Sequence, residues 1–161
     1  MTRSSYDGEP TAGMALERLV SVLLRWGSRG DVRRSLLSDR VEDLSVTDEW
    51  LLRRVIDVGP VRLSELASWQ AVDRSTMTSQ VRHLERLGLV ERQLDPTDRR
   101  AALVSATFIG RRLHGTNVAR ARMVLDQLLD DWSETDRADL ARLLGRVTDA
   151  LEQPTSDGRL T

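Results

Sequence analysis

Apolar residues recur at helical spacing along most of the chain. Leu16, Leu19, Val20, Leu23 and Leu24 predict a helix over residues 11–26. Gly27-Ser28-Arg29-Gly30 breaks it, and a shorter segment follows in which Val32, Leu36 and Leu37 are apolar. Thr47 reads as the N-cap of the next helix, with Asp48 and Glu49 in its first turn and Val46 stapled against Leu51. That helix turns Leu51, Leu52, Val55 and Ile56 inward and stops at Gly59-Pro60. Residues 63–70 form a short helix with Leu66 and Ala67 inward. Ala71-Val72 makes a tight turn, and Asp73 caps a helix that runs to Leu87 and ends at Gly88. Residues 89–93 and 101–105 read as strands, joined by 94–100. A long helix is expected from Thr107 to Trp132, with Ala121, Val124, Leu125, Leu128 and Trp132 inward. Ser133-Glu134-Thr135-Asp136 caps a last helix carrying the apolar stripe Leu140, Leu143, Leu144, Val147 and Leu151. The fold class is mainly α with one small β-hairpin.

The helix after Asp73 divides into two faces. Met77, Val81, Leu84 and Leu87 lie at spacings of four and three and must pack on the preceding helices. The opposite face carries Ser75, Ser79, Arg82 and Arg86, with Thr76, Thr78 and His83 on the flanks and Arg74 at the start. Small hydroxyls let a backbone approach phosphates, and Arg reaches farther into a groove. Two helices joined by so short a turn cross at a large angle. The hairpin that follows bears Asp98, Arg99 and Arg100 near its tip. Together these features suit a helix-turn-helix with a wing, which holds double-stranded DNA by two grooves.

Composition narrows the alternatives. All 24 basic residues are Arg, suited to bidentate contacts with phosphate and guanine. The net charge is −1, and residues 62–100 hold seven Arg against six acids, so modest and salt-sensitive DNA affinity is expected unless two copies bind together. The absence of Cys removes disulfides, thiolate nucleophiles and thiol redox sensing. Two histidines far apart in sequence leave little for a metal site, and no phosphate-cradling glycine loop or Ser-His-Asp arrangement is present. An enzyme is not expected, nor a metal or cofactor. No run approaches a membrane span and no signal-peptide core opens the chain, so a cytoplasmic protein is expected.

Three stretches, Leu63-Ser64-Glu65-Leu66-Ala67, Val72-Asp73-Arg74-Ser75-Thr76-Met77-Thr78 and Leu84-Glu85-Arg86-Leu87-Gly88-Leu89-Val90-Glu91-Arg92, are followed by Asp95-Pro96-Thr97-Asp98-Arg99-Arg100, Thr107 and Gly110. In this order they resemble the MarR family of winged helix-turn-helix regulators over residues 45–115. The resemblance implies a homodimeric transcription regulator, a repressor, whose N- and C-terminal helices interleave. Two winged domains would then bind half-sites of a pseudo-palindrome about 10–10.5 bp apart. It implies that Arg100 enters the minor groove, oriented by Asp98, while Arg99 meets phosphate. Many members carry Arg where this chain has Ser79, so its operator or affinity is expected to differ.

Family members often respond to small aromatic or lipophilic effectors held between the dimer base and the winged domain. Trp26, Trp50 and His114 are the candidates for such a pocket. The expected organisation is a disordered leader (1–9), N-terminal dimerisation helices (10–46), a winged helix-turn-helix (47–106), C-terminal dimerisation helices (107–153) and a flexible tail (154–161). The rival reading is a dimeric winged-helix protein-interaction module that has lost DNA binding, which the near-neutral charge and Ser79 favour.

Overall fold

The computed structural model describes residues 11–37, 44–96 and 102–152. Within them, seven helices and one three-stranded antiparallel sheet follow the order α1 (Ala12–Gly27), α2 (Gly30–Leu36), α3 (Val46–Val58), β1 (Val61–Arg62), α4 (Leu63–Gln70), α5 (Arg74–Arg86), β2 (Val90–Leu94), β3 (Ala102–Ala106), α6 (Phe108–Leu128) and α7 (Glu134–Glu152). Among the described residues, no helix is long and apolar enough to cross a membrane. The chain divides into two compact units between Arg122 and Met123, within α6.

The first unit holds the hydrophobic core. Leu51, Leu52 and Val55 of α3 pack with Leu66 of α4, Met77, Val81 and Leu84 of α5, Leu89, Val104 of β3 and Leu113 of α6. The inward faces read from α3, α4 and α5 are therefore the buried ones. The sheet order is β1-β3-β2. In the hairpin, Val90 pairs with Ala106 and Leu94 with Ala102, one residue later than the sequence pattern suggests. The pattern gave no sign of β1, whose two residues pair with Val104 and Leu103.

Local chemistry sets the helix ends. α3 is capped by Ser45, not Thr47. The Ser45 hydroxyl accepts from the Asp48 N–H at 3.1 Å, and the Asp48 carboxylate accepts from the Ser45 N–H at 2.9 Å. Ser45 wins because the residue three positions on is Asp48, which can reciprocate; from Thr47 that position is Trp50, which cannot. Val46 consequently lies inside the helix and is not a staple outside it. At the start of α6, the Thr107 hydroxyl accepts from the Gly110 N–H at 3.0 Å and donates to the Gly88 carbonyl at 2.7 Å. Gly110 permits this approach, since a Cβ there would lie 2.1 Å from the Leu89 carbonyl oxygen.

The second unit comprises the end of α6, a turn and α7. α6 ends at Leu128 rather than Trp132. The Trp132 N–H closes a tight turn onto the Leu129 carbonyl at 3.0 Å, and the Arg137 guanidinium donates to the same carbonyl at 2.7 Å. Trp132 thus lies in the turn, and the Ser133 hydroxyl accepts from the Asp136 N–H to open α7. No residue of α1 is buried, and Leu143, Leu144, Val147 and Leu151 of α7 are exposed.

Candidate nucleic-acid interface

The turn between α4 and α5 is closed by two backbone bonds. The Ala71 N–H donates to the Ser68 carbonyl at 3.2 Å and the Val72 N–H to the Ala67 carbonyl at 3.0 Å. This pairing demands a left-handed residue, and Ala71 supplies it with φ 54°. Asp73 then caps α5, accepting from the Thr76 N–H at 2.8 Å, the Thr76 hydroxyl at 2.7 Å and the Ser75 hydroxyl. The Ser75 bond first, then those of Thr76, hold its carboxyl well below the ordinary carboxylate range.

With Met77, Val81 and Leu84 buried, the opposite face of α5 points outward. Arg74, Ser75, Thr76, Ser79, Arg82 and Arg86 are exposed, while Thr78 and His83 are half-buried. Ser79, Arg82, Glu85 and Arg86 line one shallow concavity. The Thr78 hydroxyl donates to the Arg74 carbonyl at 2.7 Å, which leaves its oxygen available as an acceptor. His83 turns sideways: its Nε2 lies 3.7 Å from the Asp48 carboxylate at the start of α3, and its Nδ1 lies 3.3 Å from Arg86. Glu85, the acid on this surface, is neutralised by Arg92 of β2 at 3.1 Å.

α5 ends in a second closed turn. The Gly88 N–H donates to Glu85 and the Leu89 N–H to Leu84, both at 2.9 Å, with Gly88 at φ 71°. The chain is thereby returned along β2, beside α5, toward the hairpin tip. Asp98, Arg99 and Arg100 lie outside the described residues. At the root, the Arg62 Nε and Nη2 donate to one Asp95 oxygen at 2.9 and 2.6 Å. Sequence reasoning missed this pair and the Glu85–Arg92 pair; no local pattern links residues 33 positions apart.

The three effector candidates occupy different settings. Trp26 is half-buried on α1, and Trp50 of α3 is 60% exposed. His114 of α6 is engaged: its Nδ1 lies 2.6 Å from Glu49 Oε1, and the Asn117 amide donates to Glu49 Oε2 at 2.7 Å. A cavity of about 380 Å³ opens elsewhere, between Leu87 and Leu89 on one side and Phe108, Ile109 and Arg112 on the other; none of the three candidates lines it.

Residues 44–102 match the MarR family. An uncharacterized HTH-type transcriptional regulator of Bacillus subtilis (strain 168), YxaD, is 31% identical over 123 residues, which covers 74% of this chain and 86% of that protein. Among solved structures, RV1404 from Mycobacterium tuberculosis is similar with a TM-score of 0.72 over 94% of this chain and 100% of the other, at 22% identity. Streptococcus pneumoniae FabT in complex with DNA gives a TM-score of 0.68 over 86% and 95%, at 24% identity. At such identities the structural likeness speaks for the fold, and the sequence matches speak for descent: the chain belongs to the MarR family of winged helix-turn-helix transcriptional regulators.

Proposed function

We propose that the protein is a homodimeric repressor that binds a pseudo-palindromic operator, with α5 in the major groove and the 94–100 connection in the minor groove. The observation that carries this reading is the two-sided build of α5. Its apolar side is locked into the core while Arg74, Ser75, Ser79, Arg82 and Arg86 face outward. Thr76 and Thr78 add acceptors at the helix start, where the N-terminal dipole favours phosphate. FabT, a structural neighbour, was solved with DNA. Asp98, Arg99 and Arg100 belong to the same reading through the family motif, with Arg100 drawn to a narrow A·T-rich groove. His83 contributes by fixing α5 against Asp48.

Two copies are favoured because α1 and α7 carry apolar stripes that one chain leaves in water. Release by a small aromatic or lipophilic effector at the Trp50 and His114 end of α3 would act through the Glu49 contact to α6. Duplexes selected from a random pool by the purified protein, followed by a mobility-shift titration across salt, test the DNA reading. Sequence-specific, salt-sensitive complexes are expected. The absence of any complex at low salt would instead favour a protein-interaction module.

A further inference from the structure

Strand β2 is fastened at two points by charge. Arg92 ties it to Glu85 of α5 at 3.1 Å. Asp95, the residue just after β2, is held by Arg62 of β1 at 2.6 Å. β1 and β2 are not neighbours, because β3 runs between them. Arg62 and Gln93 both pair with Leu103, so the Arg62 side chain spans β3 to reach Asp95. The Asp95 side chain is only 5% exposed, and a carboxylate that deep is costly unless partnered. Pro96 follows at once, which confines Asp95 to extended backbone and stiffens the exit of the chain.

We infer that Arg62 and Asp95 are a positioning pair for DNA binding: they fix the end of β2 relative to α5, without touching DNA. This rests on the reading of α5 and the hairpin as the DNA contact. The geometry gives the pair leverage. It grips the point where the chain leaves the sheet, while the Arg92–Glu85 pair refers the same strand to the recognition helix. Loss of the grip frees the end of β2 at Asp95, and that segment then pays an ordering cost on each encounter with DNA.

Removing a carboxylate near DNA should, by charge alone, tighten binding. The positioning pair predicts the reverse. Asp95→Asn and Arg62→Ala should each weaken binding by about tenfold, and the double variant should be no weaker than either single one. Arg62→Lys, which keeps one charged donor, should recover part of the loss. Fluorescence anisotropy on a selected duplex, corrected for the folded fraction from thermal melts, supplies the dissociation constants; Asp95→Glu replaces Asp95→Asn if the latter does not fold. Tighter binding by Asp95→Asn with weaker binding by Arg62→Ala would show Arg62 as a direct phosphate contact and overturn the inference. So would unchanged affinity in both, or a lowered melting temperature with unchanged affinity of the folded protein. If the wild-type protein binds no duplex, the DNA reading falls and the inference with it; if it binds and the variants match it, only the inference falls.

Discussion

Ala71 adopts a left-handed conformation that an L-residue reaches at a cost of roughly 1–2 kcal/mol. Glycine reaches it freely but loses more entropy on folding. Ala71→Gly is therefore expected to stabilise the protein by about 0.5–1 kcal/mol in chemical denaturation. Gly110 presents the opposite case. A Cβ there collides with the Leu89 backbone, which cannot swing aside, so Gly110→Ala should cost at least about 1–3 kcal/mol by the same measurement. Asp73 gives a pH dependence. Its folded carboxyl is acidified by the Ser75 and Thr76 bonds, so its contribution is complete above the ordinary value of 3.8 and is lost as pH falls through the lower folded value. Asn caps a helix about as well without titrating. Melting temperatures of wild type and Asp73→Asn should converge as acid is added; a gap that stays constant or widens would contradict the assignment.

Among the elements, those whose ends are set by neighbours in sequence could be read directly. Asp73, Gly59 and Gly88 each act within one turn, and the stripes Met77-Val81-Leu84 and Leu51-Leu52-Val55 follow from helical spacing. The α3 start was displaced because two residues able to cap, Ser45 and Thr47, lie within one turn, and only the reciprocal bond from Asp48 decides between them. The α6 end differs because the Trp132 N–H closes a tight turn onto the Leu129 carbonyl, which also accepts from Arg137 beyond the break. Long-range polar pairs left no local trace. The buried Asn117 amide on Glu49 is one, and His114 completes that cluster between α3 and α6. The exposed face of α5 was legible as a surface, because it is what remains once the apolar stripe is buried. On that face, Ser79→Arg adds a cation beside Arg82 and Arg86. It should strengthen DNA binding and steepen its salt dependence by about one unit of slope; an unchanged salt titration would place Ser79 off the DNA.

At the scale of the whole molecule, much of the exposed apolar surface among the described residues lies on α1, α6 and α7. The inward faces of α3, α4 and α5 are closed on the core, yet Leu16, Leu19 and Leu23 on α1 and Leu143, Leu144 and Val147 on α7 stand in water. Each Leu or Val fully buried contributes about 1.5–3 kcal/mol, so six such residues per chain supply enough to offset association costs of about 4–15 kcal/mol. A second copy is the partner the proposed function requires, because a near-neutral domain with a short Arg face gains affinity chiefly by binding two half-sites at once. The two consequences separate experimentally. Sedimentation of the wild-type protein should give two chains at micromolar concentration, with a melting temperature that rises with concentration. Val147→Glu places a charge in the middle of the α7 stripe and should shift the population to single chains. Its affinity for a full operator should then fall by about a hundredfold or more, toward that for an isolated half-site, because the second contact is no longer intramolecular. A Val147→Glu protein that remains paired would remove α7 from the interface. One that separates into single chains yet binds the full operator as tightly as wild type would show that pairing is not what gives this fold its grip on DNA.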